Sequence, residues 1–137
     1  MKTKIKVINE TAAHYNSNNR GNDGLSCVYD AGDGNRCAVG RCMTPEALEK
    51  SLFVLHSNYA WGSVRNIEAN IENHLFQFPE GAKSFLDLLR EEYQIDDLKF
   101  WKDLQQFHDE GSNWDDQGLS ERGKKAYKIL LDQYKGQ

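Results

Sequence analysis

The chain has 137 residues, 39% of them hydrophobic and 28% charged, with a formal net charge of -4 and a pI near 5.5. That length suits a single domain with its own core, without help from disulfides or metal. No apolar run reaches the roughly 20 residues that cross a bilayer, the basic N-terminus has no signal-peptide core, and an acidic chain without a basic stripe argues against direct nucleic-acid binding.

Residues 3–15 fit an amphipathic helix, with Ile5, Ile8, Ala12 and Tyr15 three or four apart. Asn16 to Gly24 is a run of Asn, Ser, Gly and Asp and reads as a loop. Cys27-Val28-Tyr29 and Arg36-Cys37-Ala38-Val39 flank Gly32-Asp33-Gly34-Asn35, and an Asp-Gly turn between short apolar runs predicts a small antiparallel hairpin. Thr44-Pro45-Glu46 opens a helix through Leu48, Leu52 and Leu55, with a capping hydroxyl, proline at the first position and an acid in the first turn. Ser63 opens another through Ile67, Ile71 and Leu75, and Pro79-Glu80-Gly81 breaks the chain after it.

Ala82 to Tyr93 is helical by pattern, with Phe85, Leu88 and Leu89 on one stripe. Asp96 or Asp97 caps the next helix, whose inner stripe is Leu98, Trp101, Leu104 and His108 beside Phe100 and Phe107, and Gly111 ends it. Ser112 to Gly118 reads as an acidic loop anchored by Trp114, and Ser120 caps a last helix to about Tyr134. The expected fold is α+β: a mainly helical single domain, residues 1–137, of five or six helices and one small antiparallel β-hairpin.

Charge is unevenly spread. Residues 91–118 carry nine carboxylates against Lys99 and Lys102, whereas residues 119–137 are net positive. The common meaning of such a block is a solvated face. Its functional meaning is a docking surface for a basic partner.

Cys37 with His108 and Asp109 is the pair to weigh for nucleophilic catalysis, which needs a stabilised thiolate, a histidine base and a group orienting that histidine. Asp109 follows His108 on a helix and points about 100° away from it, and Cys37 lacks a helix N-terminus to lower its pKa. The structural alternative makes Cys37 a small buried apolar residue, His108 a core-edge histidine near a helix end, and Asp109 an acceptor for loop backbone near Trp114. Cys27, Cys37 and Cys42 with His14 or His108 could in principle hold zinc, but four residues separate Cys37 from Cys42 and Cys27 has no close mate, so no metal is expected. Gly32, Gly34 and Gly40 form no phosphate loop, because no Gly-Lys-Ser/Thr follows them. Arg36 and Arg41 beside these glycines could still hold a small anion or nucleotide. No cofactor is expected.

Three segments together carry a resemblance: Asn16-Ser17-Asn18-Asn19-Arg20 before Cys27-Val28-Tyr29; Gly34-Asn35-Arg36-Cys37-Ala38-Val39-Gly40-Arg41-Cys42; and Leu104-Gln105-Gln106-Phe107-His108-Asp109 followed by Asn113-Trp114. The chain resembles a group of small phage- and prophage-encoded proteins, mostly of uncharacterised activity, that pair Gly-x-x-Cys-Ala-(Ile/Val)-Gly with a later Leu-Gln-x-x-His-Asp. The segments run in order through most of the chain, with wide unmatched spacing over residues 46–84. The resemblance implies a phage or mobile-element origin and a place in the host cytoplasm, which the odd cysteine count also favours.

The leading expectation is a non-enzymatic accessory protein that binds a host protein, such as a defence factor or a nucleic-acid-binding protein, with Trp114, Asp115 and Asp116 on the docking surface. The Asn/Gly loop 16–24 is the competing surface. The alternatives are a nucleotide-sequestering module using Arg36 and Arg41, and a hydrolase or transferase using Cys37 and His108.

Overall fold

A computed structural model describes residues 1–19, 38–48 and 85–137. Over these residues the protein is mainly helical, with one small two-stranded antiparallel sheet. The first helix, α1, spans Lys4–His14, and the Thr3 hydroxyl caps it by accepting from the Lys6 N–H at 3.1 Å. Its buried face is Val7, Ile8 and Thr11. These β-branched residues are indifferent helix formers, so packing rather than propensity holds α1 in place. The buried Thr11 hydroxyl is satisfied by donating to the Val7 carbonyl at 2.8 Å. After α1 the asparagines turn the chain: Asn16 N–H donates to Asn19 Oδ1, and Asn19 Nδ2 caps the helix end at the His14 carbonyl, each at 2.8 Å.

Ala38 and Val39 lie in a turn that leads into a 3-10 helix at Gly40–Cys42. They are not the end of a strand as expected, and the rest of the expected hairpin, residues 27–37, lies outside the described residues. Thr44 then caps α2, of which residues 45–48 are described, by accepting from the Ala47 N–H at 3.2 Å. The later course of α2 and the helix expected from Ser63 also fall outside the described residues.

Residues 82–84 of the helix expected from Ala82 to Tyr93 lie outside the described residues, and the rest is corrected to two 3-10 turns, Phe85–Leu88 and Glu91–Tyr93, separated by an extended step. Backbone pairing is the reason. Leu89 bridges Met43, Thr44 N–H donates to the Leu88 carbonyl at 2.8 Å, and Arg90 N–H donates to the Cys42 carbonyl at 2.9 Å. An α-helix through Leu89 would forfeit that pairing and turn a nearly fully buried leucine off the core.

The next helix, α3, spans Leu98–Asp109 and is capped by Asp97, whose side chain accepts from the Phe100 N–H at 3.1 Å. Phe100, Trp101, Leu104, Phe107 and His108 are all buried, as the stripe predicted, and Trp101 Nε1 donates to the Ile95 carbonyl at 3.0 Å. A 3-10 turn at Gly111–Asn113 follows. Residues Trp114–Asp115 (β1) and Gly118–Leu119 (β2) then pair antiparallel, Trp114 with Leu119 and Asp115 with Gly118. This hairpin replaces the loop expected at 112–118. Gly118 makes it possible, because its φ of 130° suits a residue without Cβ.

The last helix, α4, spans Glu121–Tyr134 and is capped by Ser120, whose Oγ accepts from the Gly123 N–H at 3.0 Å. Gly123 packs against the turn before β1, where a Cβ would sit 1.9 Å from the Asn113 carbonyl oxygen. Leu130 and Tyr134 face inward, with Ala126, Tyr127 and Leu131 packed beside them. One hydrophobic cluster joins α1, the 38–43 turn, the 88–95 segment, α3, Trp114 and α4. Four α-helical segments are present among the described residues, against an expectation of five or six over the whole chain.

Candidate functional site

Trp114 sets the position of the hairpin. It was expected as a surface anchor, but it is 5% exposed and packs against Phe107, Tyr15 and His108. Its indole N–H donates to the His108 carbonyl at 3.0 Å, and Asn113 Nδ2 donates to the Phe107 carbonyl at 2.9 Å. Two carbonyls left unpaired at the end of α3 are thereby satisfied by side chains of the following segment, which fixes where the hairpin leaves the core. Ser17 N–H donates to the Asp115 carbonyl and Ser120 N–H to the Asn113 carbonyl, each at 2.9 Å. The start of the Asn-rich loop and the hairpin thus adjoin, and the two expected docking surfaces meet at Ser17.

Asp115, Asp116 and Gln117 stand exposed at the hairpin tip. Asp115 Oδ1 accepts from the Gln117 N–H at 2.9 Å, and neither aspartate is ion-paired among the described residues. Other carboxylates of the acidic block are used internally. Asp97 pairs with Lys4 at 2.7 Å, and that hydrogen bond holds its pKa below the usual range. Asp103 is partly buried, which works against ionisation, yet bonds from Lys99 and Tyr134 keep its pKa low.

Arg41 is half-buried in a cluster with Lys2, Glu10 and Tyr93. Its guanidinium donates to Tyr93 Oη and to Glu10 Oε2, each at 3.4 Å. Lys2 Nζ donates to Glu10 Oε1 at 2.5 Å and to Tyr93 Oη at 2.9 Å, while the Tyr93 hydroxyl donates to Glu10 Oε2 at 3.0 Å. Burial works against the Glu10 carboxylate, but the bonds from Lys2 and Tyr93 hold its pKa below the ordinary value. The arginine expected to meet an external anion therefore spends its terminal nitrogens inside the fold. Arg36 lies outside the described residues.

The structure brings together the described parts of two of the three segments that carried the resemblance, at Val39 and Gln105. Gln105, 2% exposed, accepts the Val39 N–H on Oε1 at 3.3 Å, and its Nε2 donates to Asp109 Oδ1 at 2.7 Å. Gln105 Nε2 also lies 3.2 Å from His108 Nδ1. A histidine base of a thiol hydrolase needs a carboxylate at Nδ1 and an Nε2 within reach of the substrate, and this ring is fully buried. Asp109 was expected to point away from His108, yet its Oδ1 lies 3.5 Å from the ring's Nδ1 while accepting from Gln105. His108 was placed at the core edge and is fully buried, 4.5 Å from the Tyr15 ring. Cys37, its expected partner, lies outside the described residues. Burial pushes the Cys42 thiol up to about 12, so it is not a thiolate at neutral pH. Among the described residues no three His, Cys, Asp or Glu side chains gather as a metal site, and Cys27 and Cys37 of the weighed zinc set lie outside them.

A polar cleft of about 490 Å³ opens between the end of α1, the hairpin and the first turn of α4. His14, Tyr15, Asn16, Asp115, Gln117 and Lys124 line it, together with Ala12, Ala13 and Leu119. Burial, with Arg41 nearby, lowers the pKa of His14 and keeps its ring neutral at pH 7. A second groove, about 330 Å³, runs between α3 and α4 past the exposed Ile129.

Sequence reasoning missed Gln105, Glu10, Tyr93, His14 and Gln117 as parts of these clusters. Gln105 had a signal, since it is a polar residue beside the apolar stripe of α3, three and four positions before His108 and Asp109. Glu10 and Tyr93 had none, because residues 83 apart meet only once the chain folds.

No helix among the described residues is long and apolar enough to cross a membrane. No family model, curated protein or solved structure matches the chain.

Proposed function

We propose that this chain is a non-enzymatic accessory protein of a phage or prophage that works in the host cytoplasm by docking onto a host protein through its hairpin face. The reading takes the chain as a single domain of five or six helices. One observation carries the choice of surface. The hairpin is anchored through Trp114 and the end of α3, while Asp115 and Asp116 at its tip are exposed and unpaired among the described residues. A surface held in place before contact loses little conformational entropy on binding, and unpaired carboxylates favour a basic partner. Host proteins that bind nucleic acid present such a surface, and a defence factor of that kind is the partner the phage resemblance favours.

The fully buried His108 and the internally engaged Arg41 favour this reading over the hydrolase and the nucleotide module. The test uses the tagged full chain and an Asp115→Lys/Asp116→Lys double variant as parallel baits in bacterial lysate. The expected result is a host protein retained by the first and lost by the second. Identical capture by both baits would remove the hairpin from the account. In cells, expression of the chain should raise phage plating on a host carrying the captured defence factor, and the double variant should not.

A further inference from the structure

We propose that the cleft beside the hairpin is a receiving pocket for an arginine side chain of the partner. The inference rests on the docking role of the hairpin and adds the chemistry of what docks. Two independent sources make the cleft favourable to a cation. The first is the Asp115 carboxylate in its lining, which has only the Gln117 N–H on Oδ1 and no ion pair among the described residues. The second is the C-terminal end of α1, whose last turn supplies Ala12, Ala13 and His14 to the cleft. The final carbonyls of a helix lack intrahelical partners and carry a partial negative charge. Asn19 Nδ2 donates to one of them, the His14 carbonyl, at 2.8 Å.

The rest of the lining suits arginine better than lysine. His14 has a lowered pKa and offers a neutral ring rather than a competing cation, and a planar guanidinium stacks on such a ring. Among the described residues Lys124 is the one permanently charged cation of the lining, and its ammonium is drawn to Glu121 at 3.1 Å. Ala12, Ala13 and Leu119 give an apolar surface for the methylene stem. A volume of about 490 Å³ exceeds a guanidinium group alone and accommodates the whole side chain.

The test is an NMR titration of the ¹⁵N-labelled full chain with acetyl-Gly-Arg-Gly-amide and with its lysine and glutamate counterparts. The arginine peptide should give saturable shifts at the amides of Asn16, Asp115, Gln117 and Gly118. Asp115→Asn keeps an acceptor for the Gln117 N–H while removing the charge, and should weaken binding roughly fivefold. Ala13→Phe fills the cleft with Asp115 intact and should abolish the shifts. The proposal is overturned if the glutamate peptide shifts the same amides, if the arginine shifts do not saturate, or if both variants bind as the unaltered chain does. A host protein captured through Asp115 and Asp116 without arginine-peptide binding would defeat this inference and leave the docking role standing. Peptide binding with no host protein captured would do the reverse.

Discussion

Arg41 sits among Lys2, Glu10 and Tyr93 and directs its guanidinium into the fold, whereas Asp115 and Asp116 project from the hairpin with no cation paired to them among the described residues. Both regions are rich in charge, and both were candidates for binding. They differ in what holds them. The Arg41 cluster ties the start of α1 to the 40–42 and 91–93 turns through charged side chains that remain partly wet. The hairpin is tied down by neutral, buried bonds from Trp114 and Asn113 to the end of α3, so its charges are left over. Charge in the first region is structural, and in the second it is free to act outward.

The largest effect should come from the anchor. Trp114→Ala removes a buried indole and its bond to the His108 carbonyl, and should cost about 3–5 kcal/mol in denaturant unfolding. Trp114→Phe keeps most of the packing and loses the donor, so about 1–3 kcal/mol is expected. If both variants unfold at the wild-type denaturant midpoint, the hairpin is not held as described, and the contrast between the two regions fails.

Gly123→Ala is the next test. By helix propensity alone alanine should stabilise α4 by about 1 kcal/mol. The Cβ would meet the Asn113 carbonyl oxygen at 1.9 Å, which forces backbone apart where the hairpin begins. A net loss of about 1–3 kcal/mol is expected. The sign of the change decides between the two effects, and a gain would mean α4 does not approach that turn so closely.

Much of this arrangement was legible in the sequence and part of it was not. The stripe of α3 was readable because its apolar residues recur with the helical period, and the Asp97 and Ser120 caps because capping is local chemistry. The hairpin at Trp114–Leu119 was not, since its strands are two residues long and give no alternation to detect. The segment 82–93 misled for the opposite reason. Its helical pattern is real, but pairing of Leu89 with Met43 joins residues 46 apart and overrides it. The candidate site divided in the same way. Asp115 and Asp116 were visible as charge in a polar stretch, while the partners of Arg41, Glu10 and Tyr93, come from two distant parts of the chain.

The charged cluster can be tested by pH. Glu10, Asp97 and Asp103 all have folded-state pKa values below the ordinary ones. A depressed carboxylate contributes stability above its unfolded pKa of about 4, and that contribution is lost as pH falls through the lower folded value. Unfolding free energy should therefore fall below about pH 4, in addition to the loss that begins below about pH 6.5 because the fold holds His14 at a lowered pKa. Glu10→Gln leaves Lys2 and Arg41 without their carboxylate and should cost about 1 kcal/mol at pH 7, discounted for the cluster's partial exposure. The same variant should lose less than wild type on acidification, because one of the titrating groups is gone. Parallel pH profiles, displaced by a constant amount, would mean that Glu10 does not titrate as an ion-paired carboxylate.

The smallest effect on stability belongs to the residues with the largest expected effect on binding. Asp115→Asn and Asp116→Asn remove charge from exposed sites without ion pairs among the described residues, and Asn can still accept the Gln117 N–H. Each should change unfolding free energy by no more than about 0.5 kcal/mol. Removing two like charges from an acidic neighbourhood relieves repulsion, so the sign should lean towards stabilisation, most visibly at low salt. A stability change near zero joined to loss of host-protein capture would separate docking from folding at this face. A loss of stability comparable to that of Glu10→Gln would instead place the hairpin carboxylates in the same structural class as the Arg41 cluster, and the outward role assigned to them would lose its physical basis.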